Sequence, residues 1–258
     1  LKRLLPSLGI LAFVTGSLRA INTWDLPAYG LLALAALTIT VLVRRKTAFH
    51  PMMFAMWGLL VCFFALVLYG AWVPFHQNYE APFDGVRLSQ WRTVFWHYLG
   101  IHALLLFATT SWLVVEFKRF VWDRRISLRQ TPVAMDVNGE AAARRPKQFR
   151  AFALSGIAGV LAIGLWFSLA DLHQWTTVVV LMALTLVSIG LSSVWLGRRL
   201  DSRAPLQLLL LAALVLALGI GMGVDFITAE RDIDRMNTVF KLYLNAWILF
   251  GVVGGTGL

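Results

Sequence analysis

Eight apolar stretches, each close to or above the ~20 residues needed to cross a bilayer core, divide this 258-residue chain. They lie at about 4–21, 26–43, 52–73, 93–115, 150–170, 176–196, 205–224 and 237–258. Charged residues make up 14% and hydrophobic ones 59%, against roughly 25% and about 45–50% in soluble chains. In lipid every backbone N–H and C=O needs an internal partner, and helices supply one span by span. The pattern predicts an all-α polytopic transmembrane bundle over residues 1–258, with about eight spans and a basic loop at about 117–149. Arg19 and a tight polar turn make the first two spans the weakest.

The formal charge of +10 follows the connections. Two basic residues sit at Lys2 and Arg3, three at 44–46, nine between Lys118 and Arg150, and three at 198–203, seventeen of the 23 in all. These connections alternate with the others, and the positive-inside rule assigns them, with the N-terminus, to the cytoplasm. The charge is therefore a topology signal, and a nucleic-acid partner is not expected. The single cysteine, Cys62, lies inside a span, so no disulfide framework is available. Leu1 at the start and "GVVGGTGL" at the end read as a C-terminal-side piece of a longer integral membrane protein.

Four connections are left for the extracytoplasmic side: 22–27, 73–92, 171–175 and 224–237. They carry eight of the thirteen acidic residues, and His76, His97 and His173 lie in or near them. The cytoplasmic connections, such as "NGEAAARRPKQ" (138–148), are basic and bland. An active site is therefore expected at the outer membrane boundary. Trp24, Trp72, Trp91, Trp96 and Trp175 gather there too, as an aromatic belt does.

The last span carries the strongest signal, "ERDIDRMNTVFK" (230–241) running into "LYLNAWILFG". Positions three and four apart share a helix face, so Asp234, Asn237, Lys241 and Asn245 form one polar stripe. An unpaired lysine at mid-span costs about 2.5–3.5 kcal/mol on insertion scales, which snorkelling reduces. The alternatives are a snorkelling Lys241 paired with Asp234 and a cation facing a water-accessible cavity. Arg231 and Arg235 stand just before the helix, where basic side chains and free N–H groups together suit a phosphate. Asp232 and Asp234 leave a divalent metal possible and no other cofactor is called for; Asp234 reads equally well as a helix N-cap.

"RAINTWDLPAYG" (19–30) is a second constellation. Asp25 reads as an N-cap with Pro27 in the first turn, Asn22 and Thr23 close the preceding helix, and Arg19 pairs with Asp25. That account leaves the grouping of Asn22, Thr23 and Trp24 unexplained. His76, Glu80 and Asp84 have helical spacing, but Pro74, Pro82 and Gly85 argue against a helix and against a metal site. His97 and His102 are expected to hydrogen-bond to neighbours, and "GIGMG" (219–223) to allow close helix packing.

"NTWDLPAYG" (22–30), "YGAWVPFHQNYEAPFDGV" (69–86) and "RMNTVFKLYLNAW" (235–247), in that order, resemble the large polytopic proteins named for a YYY motif. These occur in Chloroflexi and archaea and are known as a domain of unknown function, distantly similar to C-type (GT-C) glycosyltransferases. The family's tyrosine motif, an acidic segment in its first outer loop and a "DLHPH"-like stretch precede this region. "DLHQW" (171–175) lies in the wrong place and lacks the pattern. The resemblance implies a GT-C-like bundle and a catalytic acid upstream of Leu1. It implies a lipid-linked sugar donor, a polyprenyl phosphate, as partner within the membrane lipids. Phosphate contact falls to Arg231, Arg235 and Lys241, while Asn22, Trp24, Asp25, His76, Asp232, Asp234, Asn237 and Asn245 line the cavity.

The expected activity is thus glycosyl transfer at the extracytoplasmic face. A transporter or lipid flippase and a non-catalytic assembly subunit are the alternatives. The apolar inner halves of most spans, such as "LLALAALTITVLV" (31–43), weigh against a transport path. Oligomeric state, sugar and acceptor are not legible in these residues.

Overall fold

Seven of the eight expected spans are helices in the computed structural model, which describes residues 4–44, 51–80, 85–130, 173–197, 201–230 and 232–257. The expected fifth span, 150–170, and the linker at 138–148 lie outside the described residues. The membrane-length helices are α1 (Leu4–Ile21), α2 (Asp25–Arg44), α3 (Pro51–Gly70), α5 (Phe95–Gln130), α6 (Thr176–Gly197), α7 (Ala204–Gly223) and α8 (Met236–Gly257). A short helix, α4 (Val73–Asn78), follows α3, and a turn of 3-10 helix (His173–Trp175) precedes α6. The chain is an all-α polytopic bundle with one two-stranded ladder.

Two apolar cores hold the helices together. Leu8, Ala12, Ala33, Leu37, Leu60 and Phe64 pack α1, α2 and α3 against each other. Leu181, Leu211, Leu214, Leu218, Leu249 and Phe250 join α6, α7 and α8, with Tyr98 and Trp112 of α5 completing that cluster. Tyr29, Leu32 and Ile39 of α2 pack against this second core, so α2 bridges the two. Hydroxyls within the spans find acceptors on their own helix: Thr38, Thr40, Thr185, Ser188 and Ser192 each donate to the carbonyl four residues back. That removes the penalty of an unpaired polar group in hydrocarbon.

The first part of the basic connection expected at 117–149 is helical, as far as Gln130. α5 runs 36 residues to Gln130, and only its first 26, to Phe120, make up its apolar membrane-length segment. Lys, Arg and Leu are good helix formers, so the helix outlasts the hydropathy that signalled it. Pro74 likewise opens α4 rather than preventing it, because proline fits the first turn, where its missing N–H is not needed.

The ladder gathers one end of the bundle. β1 (Val86–Leu88) and β2 (Ile227–Ala229) run antiparallel with Val86 opposite Ala229 and Leu88 opposite Ile227. Ser89 N–H donating to Phe226 O at 2.9 Å and Glu230 N–H donating to Gly85 O at 3.0 Å extend it on both sides. The Trp175 ring lies 5.7 Å from that of Phe226, and Thr23 Oγ1 lies 3.4 Å from Tyr79 Oη. Described parts of all four connections assigned together from their charge thus meet at a single end.

Two glycines set helix approach. At Gly16 of α1 an added Cβ would run into Leu68 O and the Trp72 indole, whose Nε1 donates to Phe13 O at 3.1 Å. At Gly221, the middle glycine of "GIGMG", a Cβ would meet Tyr98 Oη at 2.5 Å, while Gly219 and Gly223 face open space. Overpacking costs about 1–3 kcal/mol. Gly16→Ala is expected to cost at least that much, because the obstacle is backbone, whereas Gly219→Ala is expected to be nearly neutral. Thermal unfolding of the purified protein in detergent measures both.

Candidate functional site

Two polar centres occupy the ladder end. The first surrounds Asp225, fully buried in the turn after α7. Its Oδ1 accepts from Thr93 N–H at 2.8 Å, Thr93 Oγ1 at 2.6 Å and Arg235 Nη1 at 2.8 Å. Thr93 gives its one hydroxyl proton to this carboxylate, so the Tyr243 hydroxyl 3.0 Å away is the donor of the pair they form. Arg235 also donates from Nη1 to Val224 O at 3.0 Å and from Nη2 to Thr93 Oγ1 at 3.1 Å. Arg92 Nη1 donates to Asp225 O at 2.7 Å and to Ser89 O and Trp91 O at 2.9 Å, with its guanidinium 4.3 Å above the Trp175 ring. Thr177 Oγ1 donates to Thr93 O at 2.7 Å, which brings in α6.

The second centre joins the two constellations singled out in the sequence. Asn245 Nδ2 on α8 donates to Asp25 Oδ1 on α2 at 3.0 Å across 220 residues, and to Lys241 O at 3.1 Å. Asn22 Nδ2 donates to the same Asp25 Oδ1 at 2.8 Å. Lys241 Nζ stands 6.0 Å from the Trp24 ring centroid, within cation–π range. Asn237 is exposed, Lys241 half-buried and Asn245 buried, so their stripe descends from the surface into the bundle.

Asp234 does not share that stripe. α8 begins only at Met236, and Asp234 and Arg235 take left-handed backbone, φ 47° and 63°. This reversal swings Asp232 over the helix start, where its Oδ1 accepts Asn237 N–H at 3.0 Å and its Oδ2 accepts Thr238 N–H at 2.8 Å and Thr238 Oγ1 at 2.6 Å. Asp232, not Asp234, caps the first amides of the helix with its side chain. Burial pushes the Asp232 carboxyl upward, but the hydrogen bonds from Thr238 and Asn237 outweigh it and hold the carboxyl below its ordinary range. Both Asp232 oxygens are thus hydrogen-bonded, and Asp234 is exposed. Among the described residues no three His, Cys, Asp or Glu side chains converge on a metal position.

Asp25 does not pair with Arg19; its carboxylate takes the two amides instead. Arg19 Nε is buried without a hydrogen-bond partner, as is Nδ1 of His76. The His76 ring stacks on Tyr69 at 4.5 Å, and desolvation, with the Arg19 charge nearby, lowers its pKa. His102 is not hydrogen-bonded through either ring nitrogen. It is buried among Tyr98, Tyr243 and Phe250, with ring centroids 4.5–5.7 Å away. Arg231 and Asp84 lie outside the described residues.

Asp225, Thr93, Arg92 and Tyr243 form the more heavily bonded centre and were not among the candidates. The available signal was an acid at the end of an apolar span facing an arginine ten residues on. Breaking a buried charge pair costs about 3–5 kcal/mol, so Asp225→Ala is expected to destabilise by that amount and Asp225→Ala/Arg235→Met by less. Denaturant unfolding of single and double variants tests this. Asp232 has a depressed folded pKa, so its contribution is complete above about pH 4 and is lost as pH falls further. Asp232→Ala should cost about 1 kcal/mol at pH 7 and flatten the fall of the unfolding midpoint as pH drops below about 4.

No curated protein and no solved structure matches the chain. Residues 2–250 match the family described as "Uncharacterized membrane protein (DUF2298)", and the chain belongs to that family of integral membrane proteins.

Proposed function

We propose that the chain is part of an integral-membrane glycosyltransferase that takes a polyprenyl-phosphate-linked sugar at the extracytoplasmic face, these residues forming the phosphate-binding side of its cavity. The observation that carries this reading is the bond from Asn245 to Asp25, which seats Lys241 against Trp24 at the ladder end. A half-buried cation beside an indole and two amides suits a phosphate with a sugar stacked nearby. Lys241 is the phosphate contact in this reading. Arg235, whose donors go to Asp225, Val224 and Thr93, is a positioning residue that holds the start of α8 in place.

The test is transfer from a polyprenyl-phosphate sugar by the full-length protein in vesicles. A charged hydrogen bond contributes about 1.5–3 kcal/mol, so Lys241→Met is expected to slow transfer by about ten- to a hundredfold. Arg235→Ala should lower transfer and thermal stability together. Wild-type turnover in Lys241→Met would overturn the phosphate role. Absence of transfer together with movement of lipid between leaflets would replace the transferase with a flippase.

A further inference from the structure

Asp225, Tyr98 and His102 are fully buried near the ladder end, and each carries a polar atom that the bonds described above do not satisfy. Asp225 Oδ1 takes the donors of Thr93 and Arg235, while its Oδ2 has no hydrogen-bond partner among the described residues. The same holds for the Tyr98 hydroxyl and for both ring nitrogens of His102. Arg92 Nε, on the guanidinium that holds Asp225 O, is a further such atom at the outer end. Buried polar atoms without partners are rare, and each calls for a specific explanation.

Their positions form a descent. Asp225 stands in the turn after α7, bonded to Thr93 just before α5. Tyr98 is in the first turn of α5, and His102 lies seven residues into the helix, about 10 Å from its start at 1.5 Å per residue. Long side chains on a helix lean toward its N-terminus, which here is the ladder end. The Tyr98 hydroxyl accordingly sits against Gly221, four residues before Asp225. The His102 ring packs on Tyr98 at 4.5 Å, and the Tyr243 ring flanks both, 5.0 Å from His102 and 5.5 Å from Tyr98.

Charge selects what joins these atoms. A cation would meet the guanidinium groups of Arg92 and Arg235, which already face Asp225, and an anion would meet the carboxylate. A neutral molecule that both donates and accepts suits all of them: the carboxylate oxygen only accepts, the hydroxyl does both, and a neutral imidazole offers one of each. Buried water is such a molecule, and it makes about three hydrogen bonds to groups that lack other partners.

We propose that Asp225 Oδ2, Tyr98 Oη and the His102 ring hold a short file of water between α5, α7 and α8, and that this file opens His102 to proton exchange from the ladder end. In that exchange a ring N–H proton passes to a file water and a water proton returns, so the charge of the imidazole is unchanged. Lys241, Asn245 and Asp25 take no part, so the site is independent of the transferase reading.

The experiment is hydroxyl-radical labelling of the purified full-length protein in detergent, by X-ray radiolysis of isotopically labelled water with mass-spectrometric detection. The radicals form where water is, so bound water marks side chains that bulk solvent does not reach. Tyr98 and His102 are expected to take up label. Trp112, just as buried and ten residues beyond His102 on α5, should stay unlabelled although an indole is the more reactive ring. Tyr98→Phe keeps the ring and removes the middle hydroxyl, and should lower His102 labelling by about tenfold, the occupancy lost with one hydrogen bond. Nuclear magnetic resonance of isotope-labelled histidine, with the His102 signal identified by its loss in His102→Phe, should show transfer from water to that ring. Thermal unfolding confirms that each variant is folded.

Tyr98 and His102 as protected as Trp112 would mean a dry cluster and overturn the proposal, a comparison that needs only wild type. Equal labelling of Trp112 would assign the reaction to general opening of the bundle. Undiminished His102 labelling in folded Tyr98→Phe would assign it to a route that bypasses the file; either result overturns the proposal. Labelled Tyr98 and His102 with no transfer from water to the His102 ring would sink the proton exchange.

Discussion

The ladder end depends on one carboxylate. Asp225 is fully buried and receives a guanidinium, a hydroxyl and a backbone N–H on a single oxygen. Each donor comes from a different part of the chain than the acid, and Arg92 fastens the backbone carbonyl of the same residue. A buried ion pair adds little net stability, since desolvation offsets most of its attraction. Its effect here is geometric: the starts of α5 and α8 must stand where Thr93 and Arg235 can both reach the turn after α7. The Lys241–Asn245 face of α8 then has a fixed orientation toward α2.

α8 uses its surfaces for two tasks. Tyr243 turns to α5, where its hydroxyl meets Thr93 and its ring packs edge-on against Tyr98 at 5.5 Å. Asn245, two residues on and about 200° around the helix, turns to α2 and Asp25. One helix therefore couples the buried charge centre to the amide centre without their sharing a side chain. Gly221 allows this packing, since the Tyr98 hydroxyl occupies the space its Cβ would fill.

Much of the bundle was legible because lipid leaves few choices. Long apolar runs must be helices, and the charge distribution picked out four connections whose described parts share an end. The link between "NTWDLP" and "KLYLN" was suggested by family resemblance, and Asn245 supplies its physical bond. Local rules failed where tertiary bonds decided the outcome. Strands of three residues, "VRL" and "ITA", are too short to show alternation. Asp25 was read as a cap and Arg19's partner from proximity alone, yet the amides of Asn22 and the distant Asn245 took its oxygen. Asp225 was counted as one more acid at a span's edge, and only the arginine ten residues on hinted that it would be buried.

The left-handed turn at Asp234 and Arg235 has a consequence for how α8 is read along its length. Left-handed backbone in residues with a Cβ costs roughly 1–2 kcal/mol each. In right-handed geometry the two would continue α8 toward its N-terminus and carry Asp234 onto the line of Asn237 and Lys241. The native chain refuses that extra helical winding because Asp225 holds Arg235 and Asp232 holds the first amides. The lysine's local electrostatics are thereby set by exclusion: the turn keeps one negative charge off its face.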